Sequence, residues 1–206
     1  MHLMQILIAT TNAGKLAEYQ QLLPSLPARW LSPDQLPYSL PEVEETGETF
    51  LANALLKAVA YAKLTGLPAL SDDSGLMVDA LDGAPGVYSA RYAPTVAERN
   101  IKLLNALADV PEDRRNAQFV CVVAFAAPAP EGMITLSAEG RVNGRIAFSP
   151  RGANGFGYDP LFLMADGRTL AEYASAEKHV VSHRGRALAR LRPLLEAWFA
   201  AYAASS

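Results

Sequence analysis

The sequence reads as an α/β protein, a mixed, twisted sheet flanked by helices. Three observations predict that class. The chain opens on a short, β-branched-rich apolar run, MQILIAT, which passes through a polar turn into helix-spaced residues. Strong helical patterns stand toward both ends. A group of strand-like runs fills the middle, and AQFVCVVAFAA is the longest of them. A cleft between the outer helical parts and the central strands is the expected place for a ligand.

Taken in order, Leu16, Tyr19 and Leu23 follow the first strand at spacings of three and four, one face of a helix that Pro24 should stop. Residues 24–41 carry five prolines and read as loop with at most one short strand. GETFLANALLKAVAYAKLTGLP is a strong helix, with Leu51, Ala54, Leu55, Ala58 and Ala62 on one face and Gly66 and Pro68 as its stop. LPALSDDSG reads as a strand running into a turn, and LMVDAL as a further strand. DGAPGVYSARYAP is a glycine- and proline-punctuated loop. Residues 95–108 form a helix with Ile101, Leu104 and Ala108 on one side. MITLSAEGRVNGRIAF reads as two strands bent at Gly140 and Gly144, and SPRGANGFGYDPLF, with Gly152, Gly155 and Gly157, as irregular. A last helix starts near Ser182 and repeats Leu188, Leu191, Leu195, Trp198 and Tyr202 at threes and fours, before a tail, AAYAASS, expected to fray.

The 206 residues fit one domain, residues 1–206, and half of them are hydrophobic, enough for a substantial core. No apolar run reaches membrane-spanning length. The start lacks the basic n-region of a signal peptide, so a cytoplasmic protein is expected. Cys121, the sole cysteine, lies in an apolar run, which excludes an internal disulfide and a cysteine-based zinc site. The net charge of -3, with no basic stripe, argues against a general nucleic-acid binder. An anionic ligand would need cations gathered locally.

Several stretches carry chemistry. LSDDSG, residues 70–75, sets Asp72 and Asp73 side by side, where two ionised carboxylates repel unless a cation joins them. A polar turn is the plainer reading. TTNAGK, residues 10–15, joins a strand to a helix whose first amides can hold an anion beside Lys15. It is not a P-loop, because Ala9 stands where glycine is required and Leu16 where Ser or Thr should follow the lysine. An N-cap by Asn12 or Thr11 with a solvated Lys15 accounts for it at least as well. EVEETGETF puts Glu42, Glu44, Glu45 and Glu48 at a helix start, where the dipole alone explains them. If that helix packs back on its sheet, one carboxylate from each acidic group suits Mg²⁺, which takes few protein ligands. Asn53 and Lys57 read as a solvated stripe. In GANGFGYDP, glycines let backbone approach a ligand and Phe156 offers a flat face, or simply fills the core. In EKHVVSHRGRAL, His183 and Arg184 fall in the first helical turn, where the dipole disfavours cations, so an anion or a carbonyl-rich ligand would motivate them, with Lys178 nearby. His2 and His179 receive no role.

As a set, TTNAGK, EETGETF, SDDSGLMVDALDGAPGVYSARY, GFGYDPLF and EKHVVSHRGRAL resemble, in order and separation, the non-canonical purine nucleoside triphosphate pyrophosphatases that hydrolyse inosine and xanthosine triphosphates. The resemblance runs from about residue 5 to about residue 198. It implies a long mixed sheet, two lobes around a central cleft, a homodimer, dependence on Mg²⁺, and cleavage of ITP, dITP or XTP to the monophosphate and pyrophosphate, which cleanses the nucleotide pool. It implies that Thr10, Thr11, Asn12, Ala13, Gly14 and Lys15 bind the triphosphate. Glu44 and Asp73 would serve the metal, with Asp73 also the proton acceptor. Ser74, Phe156, Gly157, Tyr158, Asp159, Lys178, His183 and Arg184 would hold the rest of the nucleotide, mostly at its base. Whether Asp73 is base, ligand or both stays open, and Asp72 could share either job. Hypoxanthine and xanthine present a 6-oxo acceptor where adenine presents a 6-amino donor, so donors from Arg184 and His183 would select the former. A non-catalytic nucleotide sensor, a protein-interaction domain and a pyrophosphatase of other specificity are the rival readings.

Overall fold

A computed structural model describes residues 3–23 and 26–205. The β-branched opening forms β1 (Met4–Ile8), which pairs in parallel with β2 (Ala28–Leu31) and with β3 (Ala69–Val78). Two long strands, β4 (Asn116–Ala129) and β5 (Gly132–Ile146), and a short β6 (Phe162–Leu163) complete a six-stranded sheet in the order β2-β1-β3-β4-β5-β6. The β5–β6 pair is antiparallel. The sheet is therefore mixed, as the sequence predicts.

Helix α1 (Ala13–Leu22) begins where the Asn12 side chain accepts the Lys15 amide. Its expected stop, Pro24, lies outside the described residues. Helix α2 (Phe50–Thr65) is capped by Thr49 and closed by Gly66 at φ 70°, the left-handed conformation that glycine adopts without penalty. Its buried side is Phe50, Asn53, Ala54, Ala58 and Ala62, while Leu51 is 44% exposed. Helix α3 (Val96–Ala106) starts on a Thr95–Glu98 capping box. It buries Leu103, with Leu107 at its end, and leaves Ile101 exposed, so the expected face is rotated. Helix α4 (Ser175–Val181), absent from the sequence reading, precedes α5 (His183–Ser205). Ser182 caps α5 as expected, accepting the Gly185 amide at 3.1 Å. Leu188, Leu191 and Leu195 are buried. The tail expected to fray is helical through Ser205.

Two expected breaks are absent. SDDSG is no turn, because β3 runs straight through it. Polar side chains that would end a buried strand each find a partner here: the Ser71 hydroxyl donates to the Ala54 carbonyl at 2.7 Å, Asp72 meets Lys15 and Asp73 meets Asn53. Strand β5 likewise continues through Gly140 and Gly144. A Cβ on Gly144 would stand 2.4 Å from the Leu163 carbonyl oxygen, so this glycine admits β6 at close range instead of bending the strand. The loop after β3 contains two 3-10 turns, Asp79–Leu81 and Gly86–Arg91.

The chain divides into two compact units. One comprises residues 1–73, 122–139 and 187–206 and contains β1, β2, α1, α2 and most of α5. In it the Phe125 and Trp198 rings meet edge to face at 4.7 Å. The other comprises residues 74–121 and 140–186. Its core joins Leu76, Val78, Leu103, Leu107, Phe119, Ile146, Tyr158 and Phe162. No helix among the described residues is long and apolar enough to cross a membrane.

Candidate functional site

In the first unit, charge gathers where β3 leaves its apolar half. The Lys15 ammonium sits 3.1 Å from Asp72 Oδ2, whose side chain is fully buried. Lys15 is thus a partnered cation at the start of α1, not a solvated one. Lys57, one turn beyond Asn53 on α2, pairs with the Glu45 carboxylate and donates to the Asp72 carbonyl at 2.7 Å. Asn53 is wholly buried; its Nδ2 donates to Asp73 Oδ2 at 2.9 Å, and its Oδ1 accepts the Gly47 amide at 2.7 Å. The acidic segment is therefore tied to α2 at two points. The resulting field is mixed. Burial pushes the Asp73 carboxyl above its ordinary range, the Asn53 hydrogen bond and the Lys57 and Lys15 charges oppose the rise, and the Glu45 charge adds to it. Burial pulls the Lys57 ammonium down, but the charges of Asp72 and Glu45 outweigh it, and its pKa is raised. Of the acidic pair predicted for the metal, Asp73 is buried, while Glu44 is exposed beside the half-buried Glu45. Thr11, Asn12 and Ala13 of the predicted phosphate turn are exposed, and the Thr10 hydroxyl accepts the Asn12 amide at 3.2 Å.

In the second unit, the glycine-rich loop is organised by a buried ion pair. Lys178 Nζ lies 2.7 Å from Asp159 Oδ2, and that same oxygen accepts the Phe156 amide at 2.7 Å. Gly155, at φ 74°, has no room for a Cβ, which would fall 2.2 Å from the carboxylate. Lys178 stands 4.8 Å and Arg184 5.7 Å from the Phe156 ring centroid, and Arg184 donates to the Ser74 hydroxyl at 3.0 Å. The predicted residues Ser74, Phe156, Asp159, Lys178 and Arg184 thus share one cluster. The His183 ring stacks on Phe119 with centroids 4.6 Å apart and planes at 11°. Tyr158 is a core residue; it donates to the Ser89 carbonyl at 2.9 Å, and burial lifts its phenol to about 12. Asn100 on α3 donates to the Gly157 carbonyl at 3.2 Å, bracing the loop from behind. A Cβ on Gly185 would fall 1.7 Å from the His179 carbonyl oxygen, so the glycine of SHRGRAL lets α4 end against α5, which sets Lys178 and Arg184 in place.

The Ham1 family model matches residues 6–194. The chain belongs to the Ham1 family. Among the chain's relatives, a dITP/XTP pyrophosphatase of Anaeromyxobacter sp. (strain Fw109-5) is 48% identical and aligns over 94% of this chain and 97% of its own. One from Geobacter sulfurreducens is 50% identical over 91% of this chain and 94% of its own. The solved structure of a HAM1 protein from Coxiella burnetii matches with a TM-score of 0.84 at 45% identity, covering 95% of this chain and all of that one. A structure of a nucleoside-triphosphatase / dITP/XTP pyrophosphatase from Mycobacterium abscessus matches at 0.72 and 47% identity, covering 92% of this chain and all of that one.

The sequence reading of this Ham1 chain missed Asn53 and Lys57 as parts of the charged cluster, and Phe119 and Asn100 as supports. One signal existed for Asn53: it lies within the stripe of Phe50, Ala54 and Ala58, where a solvated side chain has no place. The donor set also fits Mg²⁺. Among the described residues no cluster of three or more His, Cys, Asp or Glu side chains stands ready for a metal, so a fully protein-ligated ion is not what the residues offer. An ion that keeps its waters and substrate phosphates needs only one or two carboxylates, and a carboxyl raised chiefly by burial, with the Glu45 charge adding to it, gains from a cation beside it.

Proposed function

We propose that this Ham1 protein hydrolyses ITP, dITP and XTP to the nucleoside monophosphate and pyrophosphate. The observation that carries the reading is Asp73, a buried carboxylate whose ionisation is hindered by burial, held by Asn53 and faced by Lys57 and Lys15. Such a group among paired lysines and carboxylates suits work on an anionic, proton-releasing reaction. Support also comes from the dITP/XTP pyrophosphatases that resemble the chain over nearly its full length.

The first cluster serves the triphosphate in this reading. Residues 10–15 offer the amides at the start of α1, and Lys15 and Lys57 offset phosphate charge. Asp73 orients a water and takes its proton as the water oxygen bonds to the α-phosphorus. The bond from that phosphorus to the oxygen bridging toward the β-phosphate breaks, and pyrophosphate leaves with that oxygen's electron pair. Glu44 and Asp73 would hold Mg²⁺, which supplies charge neutralisation at phosphate oxygens and a more acidic water when bound. The second cluster serves the purine. Phe156 offers a stacking face, and Arg184, Lys178 and His183 offer donors to a 6-oxo group. Adenine would leave these donors unpaired. A homodimer in the cytoplasm belongs to the same proposal.

The test is pyrophosphate release from ITP, dITP, XTP, ATP and GTP, each with and without Mg²⁺. Release from the first three that requires the metal is expected. Absence of release from all three overturns the reading and favours a nucleotide sensor.

A further inference from the structure

We propose that Asn53 is a positioning residue: its carboxamide clamps the Asp73 carboxylate to the acidic segment 42–48 and sets their spacing. The inference rests on the pyrophosphatase reading for its kinetic consequence, but its structural part stands apart from it. Asn53 is wholly buried on α2 and makes one bond in each direction. Nδ2 donates to Asp73 Oδ2 at 2.9 Å, across 20 residues of sequence, and Oδ1 accepts the Gly47 amide at 2.7 Å. The two partners dictate which end of the amide faces which: an amide N–H needs an acceptor and a carboxylate needs a donor. Only Asn supplies both at this length. Asp would keep the acceptor for Gly47 but turn a second carboxylate toward Asp73. Leu would fill the space and make neither bond.

Gly47 is shaped to the clamp. A Cβ there would lie 2.7 Å from Asn53 Oδ1 and 2.8 Å from the Ala52 Cβ, so the carboxamide occupies the volume that any other residue would need. The segment so fixed carries Glu44 and Glu45. Its position is reinforced by the Glu45–Lys57 pair, one turn further along the same helix. One side chain therefore holds both halves of the acidic group: the carboxylate on β3 directly, and the segment 42–48 through its backbone. Holding a ligating or proton-accepting carboxylate from behind governs its orientation, and partners of this kind matter for metal affinity roughly 10–100-fold.

The test uses the full-length protein and the variants Asn53→Ala, Asn53→Asp and Gly47→Ala. In metal-free wild-type protein, hydrogen exchange at the Gly47 amide should be slow. It should accelerate in Asn53→Ala and stay slow in Asn53→Asp, which retains the acceptor. Calorimetric titration of the metal-free proteins with Mg²⁺ alone should show affinity weakened about tenfold in Asn53→Ala. With ITP, kcat should fall about 10²-fold in both Asn53 variants while KM moves far less, since the carboxylate and not the nucleotide contact is misplaced. Gly47→Ala should reproduce the Asn53→Ala pattern. If Asn53→Ala is recovered only as insoluble protein, Asn53→Asp decides the kinetic point and wild-type exchange the structural one. Rapid exchange of Gly47 in the wild type overturns the clamp. So does a folded Asn53→Asp with unchanged kcat. A wild type inactive on ITP but with slow Gly47 exchange and Asn53-dependent Mg²⁺ binding would fail the pyrophosphatase reading and leave the clamp standing.

Discussion

Replacing Lys178 by Met tests how far the second cluster depends on its ion pair. Lys178 and Asp159 meet at 2.7 Å with side chains only 5% and 4% exposed, so neither charge has water to fall back on. Removing the ammonium leaves a buried carboxylate that still accepts the Phe156 amide but has lost its counter-charge. Breaking such a pair costs about 3–5 kcal/mol, far above the value of a surface pair. For a chain of this length each kcal/mol lowers Tm by roughly 2–4 °C, so Lys178→Met should melt about 6–20 °C below the wild type. Asp159→Asn restores neutrality while its carbonyl oxygen can still accept the Phe156 amide. In the double variant, Lys178→Met with Asp159→Asn, part of the loss should therefore return. Thermal melts of the four proteins at neutral pH and low salt form a double-mutant cycle. A Lys178→Met melt within about 2 °C of the wild type, or single losses that simply add, would refute the reasoning, since an independent surface pair behaves that way.

Three further outcomes are expected. Arg184→Ala should lower the ratio of kcat/KM for ITP over ATP by at least about tenfold, the worth of one charged hydrogen bond; an unchanged ratio would remove Arg184 from base selection. Asp73→Asn should abolish pyrophosphate release yet raise Tm in EDTA at neutral pH. The sign follows from burial, which raises the Asp73 pKa in the folded state, so its ionised form opposes folding at pH values above that raised pKa. The gain in Tm should shrink as pH falls and vanish below the ordinary carboxylate range of about 4; a gain that persists there contradicts the assignment. Gly185→Ala places a Cβ 1.7 Å from the His179 carbonyl oxygen and must part α4 from α5. Its melt should fall by the equivalent of about 1–3 kcal/mol with a raised KM for ITP; wild-type values for both would show the junction to be yielding.

Much of the architecture is legible in the one-dimensional pattern. Asn12, Gly66 and Ser182 mark helix ends, because capping is a transaction between residues three or four apart. Leu188, Leu191 and Leu195 name the buried side of α5, because helical geometry repeats them onto one line. The loop motifs also carry the second cluster: Phe156, Asp159, Lys178 and Arg184 all belong to stretches singled out from the sequence.

What the pattern leaves open is the fate of polar groups. Read along the chain, SDDSG is a turn and Asn53–Lys57 a wet stripe, since an unpartnered carboxylate or amide belongs in water. In the folded protein, Asp73 meets Asn53 across 20 residues and Arg184 meets Ser74 across 110. Those partners convert an apparent turn into the middle of a strand and an apparent surface into a buried clamp. Local chemistry can state which groups need a partner. Which partner arrives, and whether it carries the charge or proton that makes burial tolerable, depends on distant segments meeting in three dimensions.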